Sequence, residues 1–250
     1  MMIIKNYVRA QSLEEAYTLN QSRRSKILGG MVWLKMTNLN IGTAIDLCDL
    51  GLDTIEETET EFRIGCMTTL RQLETHESLN AYCCGAIKKA VQDIVGVQFR
   101  NCATIGGSVF GRFGFSDVLT VLLSMDCHVE LYKGGIVPLE QFAAMKRDND
   151  ILVRVIIQKT PAKFSYEAMR AQRTDFPVLT VAASTLGKLA IGARPMKAMV
   201  VPFTGTDAEN IAEIAANTVP TAKNLRASAA YRTHLVKVLT KRALGGLYGN

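Results

Sequence analysis

Two places in the chain put a pair of glycines directly after a short apolar segment, and they constrain the fold more than any other feature. These are residues 27–30 (Ile-Leu-Gly-Gly) and residues 103–108 (Ala-Thr-Ile-Gly-Gly-Ser). Glycine lets the backbone approach a ligand closely, and its conformational freedom turns successive N–H groups into one concavity that can hold phosphate oxygens. Tight turns use paired glycines for the same freedom. The pattern therefore leaves two alternatives, a pyrophosphate site or two simple turns.

Polar and aromatic residues near these glycines would complete a nucleotide site. The hydroxyl groups of Thr104 and Ser108 can donate to phosphate, while Asp117 either caps a helix or accepts a hydrogen bond from a ribose hydroxyl. Trp33, the single tryptophan, either stacks on a ligand ring or lies in a core or interface. Neither glycine pair has the Gly-x-Gly-x-x-Gly spacing of a Rossmann turn, so a standard dinucleotide fold is not expected.

Composition and charge exclude several classes of protein. The chain has 250 residues, of which 48% are hydrophobic and 21% charged, as expected of a folded chain with a sizeable core. It has no apolar run near the ~18–20 residues of a membrane span and no secretory signal at residues 1–7, which predicts a cytoplasmic protein. The net charge of +6 comes from scattered lysines and arginines without interleaved aromatics, which argues against nucleic-acid binding.

The sequence offers no motif for side-chain catalysis or for a metal. The six cysteines include no Cys-x-x-Cys pair and the three histidines lie far apart, so neither a zinc site nor an iron–sulfur cluster is expected within this chain. Gly-x-Ser-x-Gly, His-Glu-x-x-His and Walker A patterns are all missing. We therefore assign no catalytic residue and no metal ligand.

Hydrophobic periodicity and capping residues predict an α+β chain in three units, with boundaries near residues 55 and 160. Capping boxes are expected at Ser12 and Thr69, and Ser116 and Asp207 are expected to cap helices. The predicted helices include 81–95, 116–125, 208–217 and 226–244, the last ended by Gly245 and Gly246. Residues 104–114 are interpreted as a glycine-rich turn. The predicted strands are 26–28, 41–47, 127–132, 136–137, 151–157, 164–170, 178–184, 188–192 and 196–201.

Three stretches carry a resemblance to a known family. Residues 98–108 (Gln-Phe-Arg-Asn-Cys-Ala-Thr-Ile-Gly-Gly-Ser), with Ser116 and Asp117 downstream, closely resemble the FAD-binding medium subunit of molybdenum hydroxylases, the xanthine dehydrogenase and carbon monoxide dehydrogenase type. Residues 27–30 are similar to the first flavin loop of that family, and 226–232 (Arg-Ala-Ser-Ala-Ala-Tyr-Arg) to its C-terminal signature. The resemblance extends over about residues 3–245.

The resemblance implies a PCMH (vanillyl-alcohol-oxidase)-type FAD-binding fold of two subdomains plus a C-terminal α+β domain. The expected ranges are 1–55 for the first FAD-binding subdomain, 56–160 for the second, and 161–250 for a C-terminal domain like that of the CO dehydrogenase flavoprotein. The residues that would hold FAD are Lys26, Ile27, Leu28, Gly29, Gly30, Met31, Val32, Trp33, Thr104, Ile105, Gly106, Gly107, Ser108, Asp117 and Leu152.

By the same resemblance, residues 26–33 would wrap the pyrophosphate mainly through backbone N–H groups, and residues 104–108 would form the other side of that cradle. Asp117 would lie near the ribose or ribityl hydroxyls, and the main chain of Leu152 would contact the flavin end. Each role is carried over from the family and not from composition or spacing.

Several positions depart from the family pattern. Met31 and Val32 stand where the family usually has Thr-Asp, and Ser108 replaces a usual Asn. A lysine that some members carry near the flavin falls at or near Met169, beside Arg170. These departures remove side chains that bind or lie near FAD in the family, so they could weaken FAD binding by this chain.

Two functions follow from the resemblance. The first is an FAD-binding electron-transfer subunit, which passes electrons from the iron–sulfur clusters of a small subunit to NAD or another acceptor, while a large subunit carries molybdopterin. The alternative is a degenerate, non-catalytic assembly subunit that binds FAD weakly or not at all.

Overall fold

A computed structural model of the chain describes residues 1–249, which form three β-sheets with helices packed between and beside them. The first sheet is parallel and has the order β1-β3-β2. Its strands are β1 (Ile3–Arg9), β2 (Ser25–Leu28) and β3 (Asn40–Asp46). Helix α1 (Leu13–Asn20) connects β1 to β2. The edge strand β1 had no counterpart in the sequence prediction, and only two of its residues, Ile4 and Val8, are half-buried while the others are exposed.

The second sheet is antiparallel, with the order β4-β5-β8-β6-β7. Its strands are β4 (Ile55–Glu57), β5 (Glu61–Gly65), β6 (Cys127–Leu131), β7 (Gly135–Pro138) and β8 (Leu152–Gln158). The helices of this region are α2 (Leu70–Thr75), α3 (Glu77–Tyr82), α4 (Ala86–Val91), α5 (Val97–Cys102), α6 (Ile105–Phe110), α7 (Asp117–Leu123) and α8 (Leu139–Ala144).

The third sheet is an antiparallel meander with the order β12-β11-β10-β9. Its strands are β9 (Phe164–Arg170), β10 (Pro177–Ser184), β11 (Lys188–Gly192) and β12 (Met199–Pro202). Helices α9 (Ala208–Thr218) and α10 (Ala229–Tyr248) pack on one face of this sheet and share an apolar core with it.

Helix α7 packs between the helices of the second region and the third sheet, and all of its residues are buried. Its sequence, Asp-Val-Leu-Thr-Val-Leu-Leu, is apolar on every face apart from its first residue and one threonine, which is typical of a helix enclosed on all sides. It contacts β10 and β11 as well as α4 and α6. The polar residue at its start, Asp117, is therefore buried beside the third sheet.

Several predicted helix ends are confirmed by the side chains that cap them. Ser12, Thr69, Ser116 and Asp207 each accept a hydrogen bond from a backbone N–H of the first turn that follows. Thr69 and Gln72 form the complete predicted capping box. At Ser12 the box is only half formed, because the Glu15 carboxylate accepts from Gln11 instead.

The single helix predicted over 81–95 is wrong. The chain forms α3 and α4, separated by Cys84 and Gly85, which both adopt left-handed conformations with φ of +53° and +75°. The apolar spacing continues across this break, so periodicity alone did not reveal it. A glycine accepts the positive φ without strain, which explains why the break falls at residue 85.

Two other boundaries also differ from prediction. Residues 104–114 are not a turn throughout, because α6 begins at Ile105. Helix α10 begins at Ala229 and runs through Gly245 and Gly246 to Tyr248. A Cβ at Gly246 would lie 3.0 Å from the Ser165 hydroxyl oxygen, so this glycine allows close packing of α10 on β9 instead of ending the helix.

None of the helices within residues 1–249 has both the length and the apolar character needed to cross a membrane.

Candidate cofactor-binding site

A cleft of about 710 Å³ opens between the loop after β2, helix α6 and the segment after β9. Its volume lies within the roughly 300–1,000 Å³ typical of small-molecule sites. The cleft is lined by eleven of the predicted site residues, namely Lys26, Ile27, Gly29, Gly30, Met31, Val32, Trp33, Thr104, Gly107, Ser108 and Asp117. The other four, Leu28, Ile105, Gly106 and Leu152, are buried and do not line it.

The loop after β2 carries a row of backbone donors without protein acceptors. Within residues 1–249, the N–H groups of residues 30–34 make no hydrogen bond to a backbone or side-chain oxygen. Met31 in this row has a left-handed conformation, with φ of +58°. Successive N–H groups around a left-handed residue form a concavity that suits an anion. Because these residues line the cleft, the donors are available to a ligand there.

The two glycines of this loop bring it onto the junction between α5 and α6. A Cβ at Gly29 would lie 2.8 Å from the Thr104 hydroxyl oxygen, and one at Gly30 would overlap the carbonyl oxygen of Cys102. Sequence analysis expected the glycines to make room for phosphate. Here they make room first for the neighbouring Thr104 side chain and Cys102 backbone, and these contacts fix where the free N–H groups lie.

The second glycine pair is used differently from the expectation. The N–H groups of Ile105 and Gly106 donate to the carbonyl oxygens of Thr68 and Cys66, and the N–H of Gly107 donates to the Thr104 hydroxyl. These groups are therefore already paired. A Cβ at Gly106 would lie 2.5 Å from the Cys66 carbonyl oxygen, so this glycine serves the packing of α6 against the end of β5.

The side of the cleft formed by α6 can contact a ligand through the hydroxyl groups of Thr104 and Ser108. Thr104 is 5% exposed, and its hydroxyl accepts from Gly107 while its own hydrogen has no acceptor within residues 1–249. Ser108 donates its hydroxyl hydrogen to the Thr104 carbonyl and keeps its lone pairs free. The first loop thus supplies N–H donors and the second supplies one hydroxyl donor and one hydroxyl acceptor.

Asp117 lies at the inner wall of the cleft and is only 5% exposed. Its Oδ1 accepts hydrogen bonds from the Tyr166 hydroxyl and, at 2.6 Å, from Nη2 of Arg170. Burial raises the pKa of Asp117 to about 6, although Arg170 and Tyr166 both act to lower it. The cap of α7 is Ser116, so the alternative in which Asp117 is the capping residue is wrong.

Aromatic rings form another part of the cleft wall. Trp33 is 37% exposed and packs against Phe99, Phe115 and Phe176, with ring centroids 6.3, 5.8 and 5.3 Å away. Both sequence alternatives for Trp33 hold in part, since it belongs to an aromatic cluster and also presents its ring to the cleft. None of the three phenylalanines was predicted to belong to the site: Phe99 lies in the motif at residues 98–108 but was given no role there, and Phe115 and Phe176 fall in no motif.

Metal-binding groups are not assembled in the part of the chain that the structure describes. Its histidine, cysteine, aspartate and glutamate side chains nowhere gather in threes at a spacing that could hold an ion.

The family is decided by a match over most of the chain. The sequence model of the family described as "FAD binding domain in molybdopterin dehydrogenase" matches residues 3–160. The chain belongs to this family. Its oxidoreductase relatives include a xanthine dehydrogenase FAD-binding subunit, so the resemblance drawn from the glycine motifs is confirmed.

Two relatives from Escherichia coli match over nearly their whole length. The chain is 26% identical to the xanthine dehydrogenase FAD-binding subunit of strain O157:H7 over 284 residues, covering 98% of this chain and 96% of that protein. It is 24% identical to the uncharacterized protein YgfM of strain K12 over 248 residues, covering 95% and 94% of the two chains.

Solved structures share the fold at low identity. Carbon monoxide dehydrogenase from Hydrogenophaga pseudoflava matches with a TM-score of 0.86 and 21% identity, over 98% of this chain and 97% of that one. Quinoline 2-oxidoreductase from Pseudomonas putida 86 matches with a TM-score of 0.83 and 18% identity, over 97% and 96%. The expected α+β, PCMH-type FAD-binding fold is thereby confirmed.

Proposed function

We propose that this chain holds one FAD in the cleft and acts as the electron-transfer subunit of a multi-subunit molybdenum hydroxylase. The observation that carries the proposal is the row of unpaired N–H groups at residues 30–34 on the cleft wall. A pyrophosphate is a doubly charged anion that needs several converging donors. Backbone donors meet that need whatever the side chains are, so Met31 and Val32 do not remove the main source of binding.

The described residues fit the rest of the cofactor as well. The pyrophosphate would rest on the loop at residues 30–34 and on the Thr104 hydroxyl. Oδ2 of Asp117 would accept from a hydroxyl or ring N–H, and the ring cluster around Trp33 would contact the flat apolar surface of the dinucleotide. Leu152 is buried and does not line the cleft, so any contact with the cofactor would be through its main chain.

Bound FAD would supply the exchange of one or two electrons at this site. The part of the protein is to bind the dinucleotide, orient it and keep water from its inner face. The cleft contains no histidine or cysteine side chain, and we assign no nucleophile or general base. The proposed route runs from the iron–sulfur clusters of a small subunit to FAD, and then to NAD or another acceptor, with molybdopterin held by a large subunit.

The three sheets suggest how the chain is divided, and we propose the division at residues 1–55, 56–160 and 161–250. The first sheet ends at Asp46, the second occupies Ile55 to Gln158, and the third begins at Phe164. Support for a heteromeric complex comes from the relative named as a xanthine dehydrogenase FAD-binding subunit.

The subunit assignment is tested by purifying the complex from its native cells through a tag on this chain. Iron, molybdenum and flavin are then measured in the same fraction. Iron and molybdenum that co-elute with FAD would support the assignment. A chain that elutes with FAD but with neither metal would contradict it and would favour an independent flavoprotein.

The alternative function, a degenerate assembly subunit, has one observation in its favour. Met31 and Val32 provide no polar side chain at the two positions where the family usually has Thr-Asp. Such a subunit would co-elute with both metals but would carry no FAD, so the same purification separates the two functions.

A further inference from the structure

The carboxylate of Asp117 is oriented by two side chains of β9. Tyr166 and Arg170 are four residues apart on this strand, so both side chains project from the same face of the sheet. Both donate to the same oxygen, Oδ1, and this fixes the rotation of the carboxylate. Its other oxygen, Oδ2, receives no hydrogen bond from any other described residue.

Tyr166 and Arg170 differ in their access to the cleft. Arg170 lines it beside Asp117, and its Nη1 is fixed by the Asp175 carbonyl oxygen at 2.7 Å. Tyr166 is 1% exposed and does not line the cleft. A ligand in the cleft therefore cannot touch Tyr166, and any effect of this residue on binding passes through Asp117.

We propose that Tyr166 is a positioning residue for the dinucleotide: by occupying Oδ1 together with Arg170, it keeps the Asp117 carboxylate ionised and leaves Oδ2 facing the cleft as an acceptor. This inference rests on the proposed FAD site. It assigns a function to a buried residue 49 positions away in the sequence that no motif indicates.

The buried surroundings of Asp117 favour its neutral form, so the hydrogen bond from Tyr166 is needed to help keep the carboxylate ionised. Burial favours the neutral form of Asp117 and raises its pKa to about 6, while the opposing groups are Arg170 and the Tyr166 hydroxyl. Burial and the Asp117 charge also raise the pKa of Tyr166 well above its ordinary value, so the hydroxyl remains a donor at physiological pH. Loss of this donor would let the carboxyl group take up a proton at a higher pH.

Other charged groups around Asp117 are already engaged or lie at the surface. On α4, Lys88 is exposed and Lys89 pairs with Glu167. On α8, Glu140 is exposed, and β10 and β11 face α7 at Thr180 and Gly192, which carry no charge. The remaining charged residues that line the cleft are Lys26, Arg147, Asp148 and Asp175.

The test measures FAD affinity of the full-length chain, freed of flavin, from about pH 5 to about pH 8. Four proteins are compared: the wild type, Tyr166→Phe, Asp117→Asn and Tyr82→Phe. Tyr82 is the matched control, because its hydroxyl also donates to carbonyl oxygens in the interior but lies outside the cleft. Carboxyl-carbon NMR of the apo protein follows the titration of Asp117 independently of FAD.

For the wild type we expect affinity to fall as the pH drops through about 6. Tyr166→Phe is expected to weaken binding by about ten-fold at pH 7, the loss expected when the ligand no longer makes its one hydrogen bond to the charged Asp117 carboxylate, and to move the fall in affinity to higher pH. The NMR titration of Asp117 should move in the same direction. Asp117→Asn should bind weakly with no fall in this range, and Tyr82→Phe should match the wild type.

The outcomes separate the two proposals. A wild type that binds FAD, with Tyr166→Phe equal to it in affinity, pH profile and Asp117 titration, overturns the positioning role alone. A wild type that binds no FAD overturns the proposed function, and the role of Tyr166 in dinucleotide binding with it. If Tyr166→Phe does not fold, an Asp117→Asn protein that keeps the wild-type pH profile also overturns the inference.

Discussion

The backbone of Gly30 lies directly against the carbonyl oxygen of Cys102, so close that a Cβ at residue 30 would overlap that oxygen. This contact presses the loop after β2 onto the α5–α6 junction and sets the direction of the five free N–H groups that begin at residue 30. Glycine is thus required at residue 30 by a backbone contact within the chain. That contact in turn places the N–H groups that can bind an anion.

Replacing Gly30 with alanine is expected to push the two loops apart. The cost should be about 3 kcal/mol of unfolding free energy, as for other overpacked sites, with loss of FAD binding. Gly107→Ala is the comparison, since its Cβ would lie 3.3 Å from the Thr104 hydroxyl oxygen and needs only a small adjustment. Urea unfolding and FAD titration measure both effects. A Gly30→Ala protein with wild-type stability and affinity would contradict the account of this contact.

Trp33 should report on the cleft directly, because it is the single tryptophan and it lines the cleft. Addition of FAD is expected to quench its fluorescence with the same midpoint as the flavin signal. Riboflavin, which lacks the pyrophosphate, should quench much less at equal concentration. Tryptophan emission that does not change while FAD binds would show that the dinucleotide lies elsewhere.

Asp117 should make the free energy of unfolding depend on pH. Its pKa of about 6 in the folded chain exceeds the value of about 3.9 expected after unfolding, so the folded chain binds this proton more tightly. The contribution is full below about pH 4 and is lost as the pH rises through about 6, a change of about 3 kcal/mol. Unfolding of the apo chain should show this slope, and Asp117→Asn should lack it.

Asp175 provides a control, because its contribution to the free energy of unfolding should change with pH in the opposite direction to that of Asp117. The Arg226 guanidinium holds the pKa of Asp175 below its ordinary value, and both side chains are about one-third exposed. Asp175→Asn should therefore remove a small gain in stability that appears as the pH rises through the acidic range. Equal pH slopes in Asp117→Asn and the wild type would contradict the burial of an ionised Asp117.

Arg232 is expected to contribute most of the hydrogen bonding that holds the α9–α10 loop against the third sheet. It is fully buried, and its guanidinium donates to the carbonyl oxygens of Val178, Ala222 and Ala227. Arg232→Met would leave these oxygens unpaired and should cost about 3 kcal/mol of unfolding free energy. Arg242→Met, at an exposed position of the same helix, should change stability by less than about 0.5 kcal/mol. Equal effects of the two substitutions would refute this function of Arg232.

Local signals in the sequence located much of the fold and of the cleft. Capping residues such as Ser116 and Asp207 act within one helical turn, so a single sequence contains all that they require. The first glycine pair follows strand β2 as predicted, whereas the second lies within α6. Eleven of the fifteen residues implied by the resemblance line one cleft. Whether those residues bind FAD stays a prediction.

Long-range contacts were beyond the reach of the sequence. Nothing near residue 30 indicates that its glycine faces Cys102, and nothing near Asp117 indicates Tyr166 or Arg170. The reason for Gly106 was misjudged in the same way, because its neighbour Cys66 is distant in sequence. Helix periodicity failed at Cys84 and Gly85, where the apolar pattern continues although the backbone turns.

The most direct test of the account is a visible absorption spectrum of the purified full-length chain, followed by titration of its flavin-free form with FAD. We predict flavin absorption bands and saturation at about one FAD per chain, with the FAD identified after release by acid. A folded, colourless chain that stays colourless after FAD is added and removed by gel filtration would contradict the proposed site. The chain would then be better described as a structural subunit that retains the fold of its flavoprotein relatives.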